Sequence, residues 1–510
     1  MSTSTPEHLD VLIIGAGLSG IGAAYHLKTF CPTRTYAILE SREAIGGTWD
    51  LFRYPGIRSD SDMFTLGYRF RPWRDGRAIA DGPSIKAYIE ETAAEHGITD
   101  KIRFRHRVMR AEWSSADARW HVTAEVGPER TPVHYTCKFL YTCTGYYDYA
   151  SGYTPEFPGR ETFRGQVVHP QHWPDDLDYE GKRVVVIGSG ATAITLVPAM
   201  AEKALHVTML QRSPTYIASL PGRDAIAGML RRLLPDGAAY AATRWKNVLV
   251  GMFFYDLARK RPGVVKHFLR KGARRSLGED FDVDKHFKPR YEPWDERVCV
   301  APDGDFFRAI RKKRASVVTD TIDTFTETGI RLSSGEHLDA DIIVTATGLN
   351  AKLFAGLELF VDGERVDLAK STAYKGMMYS DVPNLASAVG YTNASWTLKC
   401  DLIAEHVVRI LNHMRDRGYD SVTPRVRDAS MPTEPLIGLR SGYVKRALHT
   451  LPKQGTRAPW RLHQNYVKDL YMLRFGRVDE PELEFERART GKTAPSREHS
   501  RVVANGASHA

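Results

Sequence analysis

The sequence predicts an α/β fold with two Rossmann-like dinucleotide-binding domains and a helical insertion. A glycine-rich turn over residues 15–20, the first turn, follows an apolar strand and opens a helix. A second turn over residues 188–193 repeats this arrangement, and a stretch rich in proline and glycine, residues 153–165, separates the two. Strand, glycine turn and helix in that order bind the pyrophosphate of a dinucleotide. Two such units indicate two dinucleotides and electron transfer between them.

The first turn has the spacing that a pyrophosphate requires. Gly15 permits a tight turn, Gly17 lets a phosphate approach the backbone, and Gly20 allows helix and strand to pack closely. The helix that starts near Ser19 supplies free N–H groups and the positive end of its dipole. A turn without a ligand is the alternative, but the strand Asp10 to Ile14 and the helix that flank it favour binding.

Glu40 indicates which dinucleotide the first turn takes. It lies 20 positions after Gly20, at the end of the predicted strand Tyr36 to Glu40. A carboxylate at that position bonds ribose hydroxyls. Because a carboxylate repels the 2′-phosphate of NADPH, we expect FAD in this domain. The predicted FAD-binding residues here are Gly15, Gly17, Ser19, Gly20 and Glu40.

The second turn carries a cation at the corresponding position. Arg212 lies 19 positions after Ala193, at the end of the predicted strand His206 to Gln211. A guanidinium there suits a 2′-phosphate, which favours NADPH over NADH, and a surface arginine without a ligand is the alternative. The predicted NADP-binding residues of this domain are Gly188, Ser189, Gly190, Ala191, Thr192, Gln211 and Arg212.

The remaining segments continue the α/β pattern. Residues 113–126 predict a β-hairpin, Phe139 to Cys143 predicts a strand, and Leu402 to Met414 predicts an amphipathic helix. The predicted division is 9–150 for the first part of the FAD domain, 151–214 for the linker and the first part of the NADPH domain, 215–295 for a basic helical insertion, 296–348 for the second part of the NADPH domain, 349–485 for the second part of the FAD domain, and 486–510 for a disordered tail.

Composition is that of a globular protein without a disulfide framework. Hydrophobic residues make up 42% of the chain, and no apolar run approaches the roughly 20 residues that cross a bilayer. The five cysteines form no C-x-x-C pair, so neither a zinc site nor a redox disulfide is indicated, and we predict no metal. The first nine residues lack the apolar stretch of a secretion signal. We therefore expect a cytoplasmic protein.

The net charge of +10 is concentrated in one segment. Residues 223–275 contain thirteen Lys and Arg against three Asp, which accounts for the whole excess. Since the rest of the chain is neutral on balance, we expect no nucleic-acid partner. Two interpretations of the segment stay open. It is either a helical insertion that buries its apolar faces and leaves its arginines in solvent, or a peripheral contact with the inner face of the cell membrane.

A motif between the two turns identifies a family. Phe163, Gly165, His169, Trp173 and Pro174 follow the order F-x-G-x-x-x-H-x-x-x-W-P. This pattern matches type I Baeyer–Villiger monooxygenases, whereas related flavin N- and S-monooxygenases usually end it in Tyr or Phe. The chain resembles in particular the bacterial ethionamide-monooxygenase branch, over roughly residues 8–485. The segments that carry this likeness are 46–62, 169–179, 185–198 and 391–396.

The resemblance implies a reaction. NADPH reduces FAD, the reduced flavin captures O2 as a C4a-peroxide, and one oxygen is inserted next to the carbonyl of a small apolar ketone to give an ester or lactone. Sulfides and thioamides are further substrates of such enzymes. The site must stabilise an anion in a dry pocket. In the family an arginine does so, and Arg297 matches its position, although the local sequence also allows an ion pair with Asp295 or Glu296 on a surface loop.

Further site residues follow from the resemblance. Asp60 matches an aspartate near the flavin that helps to hold the active arginine and the nicotinamide, while the local sequence also allows it to cap a helix at Met63. His169 lies in a linker that transmits domain motion in the family, so we assign it no proton transfer. The resemblance adds Gly47, Thr48, Trp49, Asp60 and Val108 to the FAD site, and Arg58 and Ser59 to the NADP site. From the local sequence, Trp49 is equally a core aromatic.

One position departs from the family pattern. Cyclic-ketone enzymes carry a lysine before the active arginine, which contacts the 2′-phosphate, and Glu296 stands there in this chain. We therefore expect Arg212 to contribute more of the binding of the 2′-phosphate. The main alternative function is an S- or N-oxygenating flavin monooxygenase with little ketone activity. The absence of a C-x-x-C pair disfavours a flavin disulfide reductase, and Trp173-Pro174 disfavours a flavoprotein that only senses NADPH.

Overall fold

Two sheets organise the computed structural model, which describes residues 6–296, 298–439 and 441–488. In each sheet a central strand runs directly into one of the glycine turns. The predicted fold class, α/β with two Rossmann-like domains, is confirmed. The predicted domain boundaries stay a prediction, and the predicted disordered tail falls almost entirely on residues 489–510, outside the described residues.

The first sheet is mixed and has nine strands. Its central strand, Glu7–Ile14, is buried from residue 11 onward and pairs in parallel with Tyr36–Leu39 on one side and Thr131–Thr142 on the other. The predicted hairpin is confirmed as an antiparallel pair next to this centre. The nine strands are Glu7–Ile14, Tyr36–Leu39, Ile102–Arg103, His106–Ser114, Arg119–Val126, Thr131–Thr142, Glu358–Val361, Glu364–Arg365 and Leu385–Ser387.

The second sheet has five strands, and all its pairings are parallel. Its central strand consists of four buried apolar residues after Arg183, as expected where helices cover both faces. In spatial order the strands are Ala315–Thr319, His206–Gln211, Arg183–Ile187, Ile342–Thr345 and Gln166–Val168. The two predicted strands of this domain, Arg183 to Ile187 and His206 to Gln211, are confirmed with the predicted ends.

Shorter strands form two- and three-stranded sheets around these two. They are Tyr147–Gly152, Ile217–Leu220, Cys299–Pro302, Ile322–Thr326, Gly329–Leu332, His337–Asp339, Leu349–Ala351, Ala373–Tyr374, Met378–Tyr379, Ser421–Pro424, Thr433–Pro435, Lys453–Gly455 and Leu483–Glu486.

The described residues form thirteen α-helices, which we label α1 to α13 along the chain. The predicted helix Leu402 to Met414 is confirmed inside the longer, mostly buried helix α11. The helices are α1 Leu18–Phe30, α2 Thr48–Leu51, α3 Met63–Leu66, α4 Gly82–Glu95, α5 Ala191–Met200, α6 Ala225–Leu233, α7 Asp236–Lys260, α8 Pro262–Leu277, α9 Val283–His286, α10 Asp305–Arg311, α11 Trp396–Arg417, α12 Gly442–Ala447 and α13 Tyr466–Leu470.

Helices α6, α7 and α8, the insertion helices, dock partly on the first domain. The buried guanidinium of Arg244 donates to the carbonyl oxygens of Phe64 and Gly67, both at 2.8 Å. The hydroxyl of Tyr240 donates to the carbonyl of Tyr68 at 3.0 Å. A guanidinium is suited to the carbonyls that short helix α3 leaves without intrahelical partners.

The insertion differs in two respects from the first of the two interpretations left open above. Arg244 is buried rather than solvated, and many large apolar side chains are exposed, among them Leu233, Phe253 and Phe268. Within the described residues, no helix combines the length and apolar character needed to cross a bilayer.

Candidate active site

Both glycine turns line a single cavity of about 2120 Å³. A drug-sized ligand occupies a pocket of roughly 300–1,000 Å³, so this cavity has room for two dinucleotides and a small substrate. Its walls include the strand ends Cys143 to Gly145 and Ala346 to Gly348. Ligands in open parallel sheets bind at such carboxyl ends.

The first turn leaves its backbone open to a phosphate. Gly15 has a φ of +101°, and a Cβ there would lie 2.7 Å from the carbonyl oxygen of Cys143. Gly17 is the N-cap of α1 and, having no side chain, accepts none of the N–H groups of the first helical turn. Gly17 and Ser19 both line the cavity. A Cβ on Gly47 would lie 3.1 Å from the Cα of Gly17. The backbones at Gly17 and Gly47 thus approach each other so closely that only glycine fits.

Glu40 is buried and holds the first turn in place. One carboxylate oxygen accepts the N–H of Ala16 at 2.7 Å, and the other accepts the N–H of Arg42 at 2.8 Å. The oxygen that accepts from Arg42 also accepts the hydroxyl of Ser41 at 3.3 Å, whereas the oxygen that accepts from Ala16 has a second lone pair left. The same carboxylate therefore orients the turn and keeps acceptor capacity for a ribose hydroxyl.

The second turn repeats this geometry in the second sheet. Gly188 has a φ of +128°, and its Cβ position is filled by the carbonyl of Ala346. Gly190 precedes α5 and, like Gly17, provides no side-chain cap. Free N–H groups at the start of an α-helix form an anion site.

The side chain of Arg212 lines the cavity, whereas that of Gln211 does not. Arg212 is exposed, lines the cavity and makes no ion pair with any described residue. Gln211 is buried, and its amide donates to the carbonyl of His286 and to the hydroxyl of Thr319, both at 2.8 Å. The side chain of Gln211 therefore faces away from the cavity, because successive residues of a strand point to opposite faces.

The loop between α2 and α3 places three predicted residues on the cavity. Arg58 forms an ion pair with Asp305 at the start of α10. Ser59 is buried, and its hydroxyl donates to the carbonyl of Ser61 at 2.6 Å. Asp60 is exposed on the cavity wall. The helix cap is Asp62, whose carboxylate accepts the N–H of Thr65 at 3.0 Å, so the capping alternative for Asp60 is not the one adopted.

The segment around residue 297 also reaches the cavity. Arg297 itself lies outside the described residues, but Trp294, Glu296, Val298 and Cys299 line the cavity on either side of it. Burial raises the pKa of the Glu296 carboxyl above its usual value. Asp295, one of the alternative partners for Arg297, pairs with Arg259 at 2.8 Å.

Most predicted cofactor residues share the cavity. Of those assigned to FAD, the residues on its wall are Gly15, Gly17, Ser19, Glu40, Gly47, Thr48, Trp49, Asp60 and Val108. Of those assigned to NADP, they are Arg58, Ser59, Gly188, Ser189, Gly190, Ala191, Thr192 and Arg212. Gly20 packs α1 against the carbonyl of Gly15 instead.

Comparisons with known proteins identify the family. Residues 79–225 match the flavin-binding monooxygenase-like family and residues 13–76 an NAD(P)-binding Rossmann-like domain. The FAD-containing monooxygenase EthA of Mycolicibacterium smegmatis is 55% identical over 96% of this chain and 99% of its own length. EthA of Mycobacterium tuberculosis is 56% identical over 94% of this chain and 98% of its own length. This chain belongs to the FAD-containing monooxygenases, in the EthA branch.

Other relatives and solved structures agree. The probable FAD-binding monooxygenase AlmA of Acinetobacter baylyi is 50% identical over 94% of this monooxygenase and 97% of its own length. An oxidized steroid monooxygenase bound to NADP has a TM-score of 0.74 at 24% identity, covering 94% of this chain and 100% of that one. A cyclohexanone monooxygenase bound to ε-caprolactone has a TM-score of 0.73 at 18% identity with the same coverage. These two structures show the fold.

The monooxygenase lines one part of its cavity with aromatic rings. Tyr146 stacks on Trp396 with ring centroids 5.1 Å apart and lies 6.2 Å from Tyr443. The indole N–H of Trp396 donates to the hydroxyl of Ser19 at 3.0 Å. We call Tyr146, Tyr147, Trp396 and Tyr443 the aromatic wall. It touches the first turn through Ser19 and presents apolar surface to the cavity.

Sequence reasoning missed part of this wall. Tyr146 and Tyr147 follow the strand end Thr144-Gly145, a position that could have been singled out because ligands bind at such ends. Tyr443 reaches the cavity from α12 near the end of the chain, and no spacing pattern announces it. The segment 391–396, predicted by resemblance alone, lines the cavity along its whole length.

No residue of the fingerprint motif lines the cavity, although His169 contacts a residue of its wall. Phe163 is buried in the core of the second domain, where Gly165 leaves room for its ring and for the carbonyl of Asp341. Trp173 packs on another core cluster of that domain, and Pro174 follows it. The ring of His169 contacts the carbonyl of Gly348 at 3.3 Å, and burial lowers its pKa. These residues bind the linker to the second domain.

Proposed function

We propose that this monooxygenase uses NADPH and O2 to insert one oxygen atom next to the carbonyl of a small apolar ketone, giving an ester or lactone, and that it also oxidises sulfides and thioamides. The balance is NADPH, a proton, O2 and the ketone in, and NADP+, water and the ester out. One observation carries the proposal. A single cavity brings together the first turn, the second turn and the aromatic wall.

FAD fits the first turn. The EthA relatives are FAD-containing by name, and Gly15, Gly17 and Gly47 leave room for a bound pyrophosphate. Glu40 offers acceptors for the adenosine ribose. Bound there, FAD would supply two-electron redox chemistry and the activation of O2.

NADPH fits the second turn. Gly188 to Thr192 present the backbone of the α5 start to the pyrophosphate. Arg212, exposed on the cavity and without an ion pair among the described residues, would bind the 2′-phosphate. Arg58 and Ser59 line the cavity from the first domain, so they would contact the part of NADPH that faces FAD.

Two charged residues would handle the oxygen-transfer step. Arg297 would stabilise the anion that develops on the substrate carbonyl oxygen, and Asp60 would hold that guanidinium and the nicotinamide in position. Supporting this role, Asp60 and the neighbours of Arg297 on both sides line the same cavity. The aromatic wall would exclude water, which strengthens the interaction between a cation and a developing anion.

For location we propose the cytoplasm, with peripheral contact at the inner face of the cell membrane through residues 223–275. All five cysteines are free thiols in buried positions, as suits a reducing compartment. The exposed apolar side chains of the insertion helices support the membrane contact.

A substrate panel tests the proposed reaction. The purified protein is supplied with NADPH and air, and with phenylacetone or thioanisole, and the products, NADPH and O2 are quantified. We expect benzyl acetate from phenylacetone in equal amounts to NADPH and O2 consumed. Sulfoxide without ester would instead identify an S- or N-oxygenating enzyme.

Arg297→Ala separates the two chemistries. We expect it to abolish ester formation and to retain part of the sulfoxide formation, since only the attack on a carbonyl creates an oxyanion that needs the cation. Arg290→Ala, at an exposed position of the same segment, is the matched control and should leave both products unchanged. Equal loss of both products in Arg297→Ala would contradict the assigned role.

A further inference from the structure

The insertion helices carry an unusual concentration of exposed apolar side chains. Of the eighteen large apolar residues that are exposed in the described part of the chain, twelve lie within residues 220–268. A concentration of exposed apolar side chains on neighbouring helices indicates an interaction site. The twelve, which we call the apolar face, are Leu220, Ile226, Met229, Leu233, Leu234, Trp245, Leu249, Val250, Phe253, Phe254, Val264 and Phe268.

The apolar face lies on the part of the insertion helices that does not pack on the first domain. On α7 the residues 240, 244 and 248 recur every four positions, are buried and hold the helix on the first domain. Trp245, Leu249 and Phe253 recur with the same period, one position further round the helix, and are exposed. On α6, Ile226, Met229 and Leu233 form a comparable exposed stripe.

Unpaired cations accompany the apolar face. Arg232, Arg261, Lys271 and Arg275 are exposed on the insertion helices, and none makes an ion pair with a described residue. Lys271 and Arg275 are one turn apart on α8, following Phe268. Apolar side chains flanked by Lys and Arg are the composition that binds anionic lipid.

The cavity reaches the surface within this face. Ile226, Val250, Phe254 and Phe268 line the cavity although they are exposed by 49, 46, 56 and 64%. An apolar molecule that passes these side chains meets apolar atoms both inside and outside the cavity. If a bilayer covers the apolar face, such a molecule reaches the cavity without crossing water.

We propose that the apolar face docks on the surface of an anionic bilayer and that the enzyme takes its substrate from the lipid. The substrate class is then an apolar ketone or sulfide with a hydrocarbon chain long enough to partition into membranes. This proposal rests on the proposed function for the reaction and for the membrane contact, and it adds the face that docks and the source of the substrate. A second copy of the chain is a poorer occupant, because a twofold interface apposes the same patch and would bring these cations together.

Vesicle flotation tests the docking without any turnover. Phosphatidylcholine vesicles with and without phosphatidylglycerol are mixed with the protein at low salt, and the bound fraction is measured. We expect binding that requires the anionic lipid and weakens as salt is added. No binding to either vesicle at low salt would overturn the proposal. So would light scattering that shows a dimer in place of vesicle binding, since the face would then join two copies.

Variants locate the contact. Leu249 and Phe253 are exposed and do not line the cavity, so Leu249→Ser with Phe253→Ser should weaken vesicle binding about tenfold or more and leave oxidation of a water-dissolved ketone unchanged. Lys271→Gln with Arg275→Gln should weaken it by a similar factor. Phe30→Ser with Leu205→Ser removes two exposed apolar residues elsewhere and should change nothing. Equal weakening by this control would contradict the proposed surface.

A competition between substrates tests the source of the substrate. A long-chain methyl ketone dissolved in the vesicles is compared with phenylacetone in water. We expect the Leu249→Ser and Phe253→Ser protein to lose turnover of the first and keep that of the second. Equal turnover of the vesicle-borne ketone would overturn the proposal. Failure to oxidise either ketone would instead overturn the proposed reaction. The flotation experiment would still test the docking, because it does not depend on turnover.

Discussion

The guanidinium of Arg58 bonds both carboxylate oxygens of Asp305, and one of these bonds measures 3.3 Å. Arg58 belongs to the loop between α2 and α3 of the first domain, and Asp305 begins α10 of the second. Both side chains are mostly buried, with 15 and 19% of their surface exposed. This ion pair joins the two nucleotide-binding domains at the wall of the cavity, where Arg58 would contact NADPH.

Asp305→Asn should slow the reduction of FAD by NADPH. Loss of the carboxylate leaves Arg58 without its counter-charge, and a hydrogen bond to a charged group contributes about 1.5–3 kcal/mol, so we expect roughly a tenfold or greater decrease in rate. Stopped-flow absorbance under anaerobic conditions measures it. Asp323→Asn, which breaks an exposed pair with Arg331, is the control. An equal, small effect of both substitutions would show that the Arg58 pair does not position NADPH.

Arg212→Gln should weaken NADPH binding and spare NADH binding. Because Arg212 is the cation assigned to the 2′-phosphate, its loss should raise the Kd for NADPH by about 10–100-fold. Arg164→Gln, at an exposed site paired with Glu327, serves as the matched control. Because the reduced nucleotides would react with the flavin, isothermal calorimetry with the oxidised forms NADP+ and NAD+ gives the ratio of the two dissociation constants. An equal loss of affinity for NADPH and NADH would show that another residue binds the 2′-phosphate.

Glu296 should make NADPH binding depend on pH. Burial raises the pKa of its carboxyl, so the neutral form persists to a higher pH than usual and is lost as pH rises through that raised value. The carboxylate then repels the 2′-phosphate. We expect the affinity for NADPH to fall more steeply with rising pH in the unaltered protein than in Glu296→Gln. Glu296→Lys should bind NADPH more tightly at all pH values, and superimposable pH profiles would contradict the account.

Asp401 should stabilise the packing of α1 on α11. Its carboxylate bonds the ring of His26 at 2.7 Å and lies 3.3 Å from the guanidinium of Arg69. Burial favours the neutral acid, but His26, Arg244 and Arg69 outweigh it and lower the pKa of Asp401 to about 2. Asp401→Asn removes one partner of this buried network and should lower the free energy of unfolding by about 3–5 kcal/mol.

The pH dependence of that loss follows from the lowered pKa. The contribution of Asp401 is complete above the ordinary aspartate pKa of about 4 and is lost as pH falls from there toward 2. The difference in denaturation midpoint between the protein and Asp401→Asn should therefore be constant from about pH 7 to 5 and shrink below about pH 4. Asp416→Asn, at an exposed position of the same helix, should show no such difference. A difference that stays constant down to the lowest pH would contradict the ionised state of Asp401.

Local sequence patterns predicted the turns because their chemistry is local. Gly15, Gly188 and Arg212 line the cavity at the positions that the strand–turn–helix pattern indicates. The carbonyls that fill the Cβ positions of the two glycines, however, belong to the distant residues Cys143 and Ala346. Gln211 is predicted to bind NADP together with Arg212, but its side-chain amide donates to Thr319 and the residue does not line the cavity.

Tertiary contacts account for what the sequence did not reveal. Arg58 and Asp305 lie 247 positions apart, and no spacing links them. Arg244 belongs to the basic segment, of which one interpretation places the arginines in solvent. It is buried because the carbonyl oxygens of Phe64 and Gly67 accept its hydrogen bonds. Tyr443 joins the aromatic wall only when the last third of the chain folds back.

Single-turnover oxidation under 18O2 tests the central claim that electrons pass from NADPH through FAD to O2 within one cavity. The purified yellow protein is reduced anaerobically with one equivalent of NADPH, then mixed with 18O2 and phenylacetone, and the product is analysed by mass spectrometry. We predict bleaching of the flavin by NADPH and benzyl acetate that carries one 18O atom per flavin. Bleaching followed by hydrogen peroxide and unchanged phenylacetone would contradict the account and identify an oxidase.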